Sequence, residues 1–169
     1  DLVTAYEKRL RSIENQLTLK TEEIEENREQ IALTQEVHSL WLKAGQETNV
    51  QSKIFVYDQI LALQPKDTEA LSYKADAVLE LQEAQWAVNL CNQALALDPE
   101  HSHSLYQLAC AYAALGQPDD AVRYLEQALQ LTDVYRDSLL QDPALTPLHD
   151  HVVFQRLVNA EICRRESAG

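Results

Sequence analysis

The chain has 169 residues, enough for one domain or one domain with an appendage. Only three glycines and five prolines interrupt it, so a mostly helical protein is expected, and no apolar run approaches the ~20 residues of a membrane span. The net charge is −13, divided as −4 over residues 1–36, −5 over 37–100 and −4 over 101–169; an acidic surface this even repels phosphate and argues against nucleic acid and anionic membranes as partners.

Residues 1–34 carry Val3, Leu10, Leu17, Ile24 and Ile31 at intervals of seven. Tyr6 and Ile13 fill the second apolar position of a heptad, but Lys20, Asn27 and Thr34 then occupy it. The seam is therefore good for two heptads and degrades afterwards. Two readings stand side by side. One is a single long amphipathic helix running straight into the next element. The other is a coiled coil that makes a homodimer through residues 3–31.

From residue 35 the dominant signal is self-similarity at 34 residues. "ILALQPKD" at 60–67, "ALALDPEH" at 94–101 and "ALQLTDVY" at 128–135 share one frame, and Pro65 and Pro99 stand 34 apart. Leu71 and Leu105, and Ala87 and Ala121, repeat at the same distance. This is the length of a helix–turn–helix unit, which cannot bury its own apolar face and must stack on copies of itself. The predicted units are 35–66, 67–100 and 101–133. In the third, Leu105, Leu108 and Tyr112 share one face of the first helix, and Ala121, Leu125, Ala128 and Leu129 share one face of the second. Gly116 suits a left-handed helix end, and Pro118 the first turn of the next helix.

Residues 134–169 read as a cap. Pro143 and Pro147 punctuate the segment, and Val152, Val153, Phe154, Leu157 and Ile162 supply the apolar side of a last helix. A terminal unit must cover the exposed face of the stack.

These residues resemble the tetratricopeptide repeat, whose pattern runs W-x2-L-G-x2-Y, A-x3-F, Ala and Pro. The third unit matches with Leu105, Leu108, Ala109, Tyr112, Gly116, Ala121, Leu125 and Ala128, with Asp133 in place of the usual Pro. The second matches with Leu71, Ala75, Val78, Ala87, Cys91, Ala94 and Pro99, but Lys74 replaces a Leu and Gln82 the turn Gly. The first matches with Val37, Leu40, Trp41, Ala44, Tyr57, Ile60 and Pro65, with Lys53 where a small residue is expected. The tail "DPALTPLHDHVVFQRL" resembles the segment that closes bacterial arrays of this type. The expected fold class is all-α: antiparallel helical-hairpin repeats in an α-solenoid, preceded by a long amphipathic or coiled-coil-like helix.

Chemistry finds little support. "HSH" at 101–103 and "HDH" at 149–151 place histidines two apart, which do not face each other on a helix. They read as exposed helix-start residues rather than zinc ligands. Cys91 takes the position of a core Phe. Cys110, beside Tyr106, is expected on the groove side as an accessible thiol with no base near it in sequence. Cys91, Cys110 and Cys163 are too scattered for a disulfide framework and fit a reducing, cytoplasmic setting. No enzyme activity, cofactor or metal is expected. The start at Asp1 and the lack of any methionine point to a segment of a longer protein.

The resemblance implies a concave groove lined by the first helix of each repeat, holding a peptide or a partner helix. Carried over by position, the lining is Gln35, His38, Leu42, Gly45 and Gln46, then Glu69, Ser72, Asp76, Leu79 and Glu80, then His103, Tyr106, Cys110, Ala113 and Ala114. Some family members clamp terminal carboxylates with Lys, Arg and Asn. Here those positions hold His38, Leu42, Tyr73, His103 and Gln107, so an acidic peptide is a poor fit. Glu69, Asp76 and Glu80 favour a protein or peptide partner with basic and apolar side chains. The function implied is a non-catalytic interaction module. The alternatives are a structural segment that self-associates through its first helix, and a regulatory sensor attached to an enzyme domain.

Overall fold

A computed structural model describes residues 1–169, except for the side chain of Glu161. Among the described residues, all regular structure is helical. Helix α1 runs unbroken over Leu2–Gln46, and its N-cap is Asp1, whose carboxylate accepts from the Val3 amide at 3.2 Å. No glycine or proline interrupts it before Gly45. The N-terminal segment and the first repeat helix are thus one rod, and residues 1–32 of it are exposed.

The hairpins follow in strict alternation: α2 (Val50–Leu63), α3 (Thr68–Glu80), α4 (Ala84–Leu97), α5 (Ser102–Ala114) and α6 (Pro118–Leu131). Asn49 caps α2 by accepting from the Ser52 amide, and Asp67 caps α3 by accepting from the Ala70 amide, both at 3.0 Å. Pro118 opens α6, and Asp119 and Asp120 sit in its first turn, where the helix dipole favours acids. Each helix packs on the next, and α5 also packs on α3, the stacking of a solenoid.

Alanines make the close approach possible. Ala70, Ala75, Ala87, Ala94, Ala109, Ala121 and Ala128 are fully buried. A larger side chain at any of them would force neighbouring helices apart. Branched aliphatic and aromatic side chains fill most of the rest, in one cluster that runs from α1 to α5 and another around α5, α6 and the cap.

The departures from the repeat pattern have physical explanations. Lys74, where a Leu is usual, pairs with Asp58 at 2.7 Å and lies 5.1 Å from the Trp86 ring centroid, so its stem is buried and its charge is met. Gln82 takes φ +63°, the left-handed conformation that Gly116 takes at +72° in the next repeat. Cys91 is fully buried, and burial pushes its thiol up to about 12.

The cap consists of two 3-10 turns, Arg136–Ser138 and Pro143–Leu148, and a final helix α7 (Val152–Ala168). Leu139, Leu145, Leu148 and Phe154 seal the outer face of α5 and α6. Val153 and Leu157 join this seal, but Val152 and Ile162 point outward, 66% and 47% exposed. The apolar side predicted for the last helix is therefore narrower, because the two prolines turn the chain before α7 and only its first turns reach the array. Among the described residues, no helix is long and apolar enough to cross a membrane.

Two histidines expected at exposed helix starts serve as caps instead. His101 is the N-cap of α5, 9% exposed: its Nδ1 lies 3.3 Å from the Ser104 amide and its Nε2 2.7 Å from Glu69 on α3. His151 caps α7, with Nδ1 3.1 Å from the Val153 amide and Nε2 2.7 Å from Asp119 on α6. His101 ties one hairpin to the next and His151 ties the last hairpin to the cap, roles that spacing along one helix cannot reveal.

Candidate functional site, a cleft between two repeats and the cap

The first helices α1, α3 and α5 carry a line of rings along one side of the array. Trp41 meets Tyr73 edge-on at 5.6 Å, and Tyr73 meets the His103 ring at 4.6 Å. His103 is held from below, with Nδ1 2.8 Å from the Ser72 hydroxyl and Nε2 3.3 Å from the Gln107 amide. Burial lowers the proton affinity of His103, although Glu69 pulls the other way. The balance favours the neutral ring.

Further along, α3, α5 and the cap line a cleft of about 700 Å³. Helix α3 contributes Asp76, Leu79 and Glu80, and α5 contributes Tyr106, Gln107, Cys110 and Ala114. The third wall is the cap itself, with Asp142, Pro143, Ala144 and Pro147. Asp142 is fixed twice over. One carboxylate oxygen accepts from the Ala144 amide at 3.0 Å, capping the second 3-10 turn, and the other accepts from the Tyr106 hydroxyl. Tyr106 is in turn stacked on Tyr135 at 4.1 Å.

The electrostatics of this cleft are one-sided. Burial holds the Asp76 carboxyl above the usual range, and the neighbouring Glu80 adds to the rise, with a smaller contribution from Asp142. Lys53 and a hydrogen bond from Gln107 act in the opposite direction. Three carboxylates thus face a partly apolar space, and Lys53 offsets the charge on Asp76 in part. Such an arrangement lowers the energy of a guest cation more than that of an anion. Among the described residues, no group of three or more His, Cys, Asp and Glu side chains is arranged to hold a metal ion.

Most of the predicted lining residues fall into three sets. Asp76, Leu79, Glu80, Tyr106, Cys110 and Ala114 meet in the cleft. His38 and Leu42 are exposed on α1, and Glu69 is exposed beside His101, all outside it. Ser72 and Ala113 are buried, the first occupied with His103 and the Glu69 carbonyl. Cys110 is not the accessible thiol expected from its position: it is 3% exposed, and burial, reinforced by Asp142, raises its pKa well above the ordinary thiol value. The cap covers it. The wall made by Asp142 and its prolines escaped the sequence reading, which treated the tail as a lid alone. Its signal was the Asp-Pro pair, a helix-start signature.

A profile of the family described as anaphase-promoting complex, cyclosome, subunit 3 matches residues 46–128. No curated protein matches the chain. Among solved structures, the O-GlcNAc transferase of Thermobaculum terrenum superposes with a TM-score of 0.63 at 25% identity, over 79% of this chain and 26% of that one. The TPR2B domain of yeast Sti1, in its pHsp70 complex, gives 0.55 at 16% identity, over 79% and 99%. The second TPR of Spaghetti (RPAP3), bound to the HSP90 peptide SRMEEVD, gives 0.50 at 22% identity, over 60% and 91%. In both its 34-residue period and its stacked hairpins, the chain has the fold of a tetratricopeptide-repeat array, closed by a proline-bearing C-terminal cap.

Proposed function

We propose that this chain is a protein-interaction module that takes a peptide or partner helix along α3 and α5 and seats a Lys or Arg side chain in the cleft of Asp76, Glu80 and Asp142. The observation that carries the reading is the convergence of those three carboxylates on one partly apolar cleft of about 700 Å³. Leu79 and the cap prolines beside them supply contact for an apolar neighbour of the guest cation. Two structural neighbours were solved with partners bound, one of them the acidic peptide SRMEEVD. The present chain keeps the architecture, but at the corresponding clamp positions it holds His38, Leu42, Tyr73, His103 and Gln107. The preferred ligand is therefore of opposite charge.

Fluorescence anisotropy with labelled peptides tests this. One peptide alternates Lys or Arg with Leu or Phe, and its control replaces each base with Glu. The basic peptide should bind more tightly, with an affinity that falls as salt rises. Asp76→Asn with Glu80→Gln should weaken it roughly tenfold, a loss of about 1.4 kcal/mol. Equal affinity for the two peptides, or a double variant that binds the basic peptide as the parent does, would sink the reading.

A further inference from the structure

We infer that residues 3–31 of α1 form a parallel, in-register two-stranded coiled coil with a second copy of this chain. Every residue from 1 to 32 is exposed. Within that stretch Leu10, Ile13, Leu17, Ile24 and Ile31 are between 44% and 62% exposed and lie on one seam. A row of large aliphatic side chains left in water along a helix marks an unmade contact. A seven-residue repeat along it calls for another helix of the same period.

Charge decides which helix. With Val3, Leu10, Leu17, Ile24 and Ile31 at the a positions, the flanking g positions are Arg9, Gln16, Glu23 and Gln30. The e positions are Glu7, Glu14, Thr21 and Arg28. In a parallel pair each g residue faces the e residue five places on in the other strand. Arg9 then faces Glu14, and Glu23 faces Arg28, while Gln16 faces Thr21 and Gln30 faces Gln35. Two-fold symmetry doubles both attractive pairs, and no like charges meet across the g–e flanks. The chain complements itself.

The polar d positions fix orientation and register. In the parallel register Asn27 faces its own copy, where two amides hydrogen-bond to each other. Lys20 also faces its own copy, but its ammonium reaches out of the seam to Glu23 at 3.0 Å. In the centred antiparallel register Asn27 would pack against Leu10, leaving a buried amide unmatched. Polar seam residues that cost stability but exclude the alternative are how coiled coils specify one arrangement.

The rod also links this seam to the array. At about 100° per residue, His38 and Leu42 lie within about 20° of the direction of Ile31. The seam thus continues onto the side of α1 that the repeat pattern assigns to the groove. The two-fold axis of the dimer would set two grooves facing one another at the end of the coil, suited to a bivalent partner.

Sedimentation equilibrium on the whole chain tests the inference. Twice the monomer mass of 19.2 kDa is expected at micromolar concentration. Leu17→Asp should weaken association roughly tenfold or more, because it buries a charge in the seam. Its exposed position leaves the thermal melt of the repeats unchanged, so a loss of dimer is not a loss of fold. Arg9→Glu and Glu14→Arg should each weaken self-association, and a mixture of the two should give more heterodimer than random pairing. A monomer at all concentrations overturns the inference, as does a dimer indifferent to Leu17→Asp or a mixture without preference.

Discussion

The hydroxyl of Tyr106 on α5 donates to the carboxylate of Asp142, which caps the second 3-10 turn of the C-terminal segment. This bond joins the last repeat to the cap across the wall of the cleft. It also explains why Tyr106 holds its proton: burial comes first, and the bond to Asp142 second. Tyr106→Phe keeps the ring stacked on Tyr135 but removes the donor. Hydrogen bonds to charged groups contribute about 1.5–3 kcal/mol, and Asp142 keeps its Ala144 amide, so a loss of about 1–2 kcal/mol is expected. Urea unfolding measures the loss. Hydrogen exchange should place it in residues 135–154, with α3 and α4 little changed.

The two turn residues, Gln82 and Gly116, should respond in opposite senses. Both are left-handed, at φ +63° and +72°. A side chain there costs about 1–2 kcal/mol relative to glycine, so Gln82→Gly should stabilise the array by about 0.5–1 kcal/mol once the extra freedom of the unfolded chain is deducted. Gly116→Ala should destabilise it by about 1 kcal/mol, and from backbone conformation alone, because an added Cβ meets no atom within 4 Å. Thermal melts of both variants that shift in the same direction would refute this.

The sequence revealed these turns, the hairpins and the core because each is written at short range. Pro65, Pro99 and Pro118 sit at helix boundaries, and the buried alanines recur at the period of one hairpin. The cleft was half legible. Asp76, Leu79 and Glu80 follow from the resemblance to the repeat, whose lining positions they occupy, but Asp142 joins Tyr106 across 36 residues, through a segment with no repeat to copy. The same limit applies to the histidines. His101 reaches Glu69 over 32 residues, and nothing in "HSH" alone distinguishes an exposed pair from a cap that bridges two helices.

His103 gives the array a mild acid sensitivity. Burial lowers its pKa below the ordinary 6.5. A histidine of depressed folded pKa contributes stability above its unfolded value, and that stability is lost as pH falls from 6.5 through the folded value. His103→Gln cannot take up that proton and retains a hydrogen-bonding side chain toward Ser72 and the groove. Urea midpoints measured from pH 7.5 down to 5 should therefore fall less in the variant than in the parent. Parallel pH curves for the two proteins would show that this ring is not responsible.

Asp76 sets stability against binding. Its carboxyl is held above the usual range by burial and then by Glu80, so the folded chain at neutral pH carries a charge it disfavours. A carboxylate with a raised folded pKa contributes stability below its unfolded pKa and loses it as pH rises through the folded one. Asp76→Asn removes that penalty and retains a polar side chain beside Gln107, so the array should gain about 0.5–1 kcal/mol at pH 7. The gain should shrink as the pH is lowered into the carboxylate range, where the parent protonates. In the same variant the basic peptide should bind more weakly, because one of the three charges facing the cleft is gone. Stability that rises while affinity falls is the signature of a group kept for its ligand. If Asp76→Asn lowered both, the side chain would instead be a structural acceptor for Gln107.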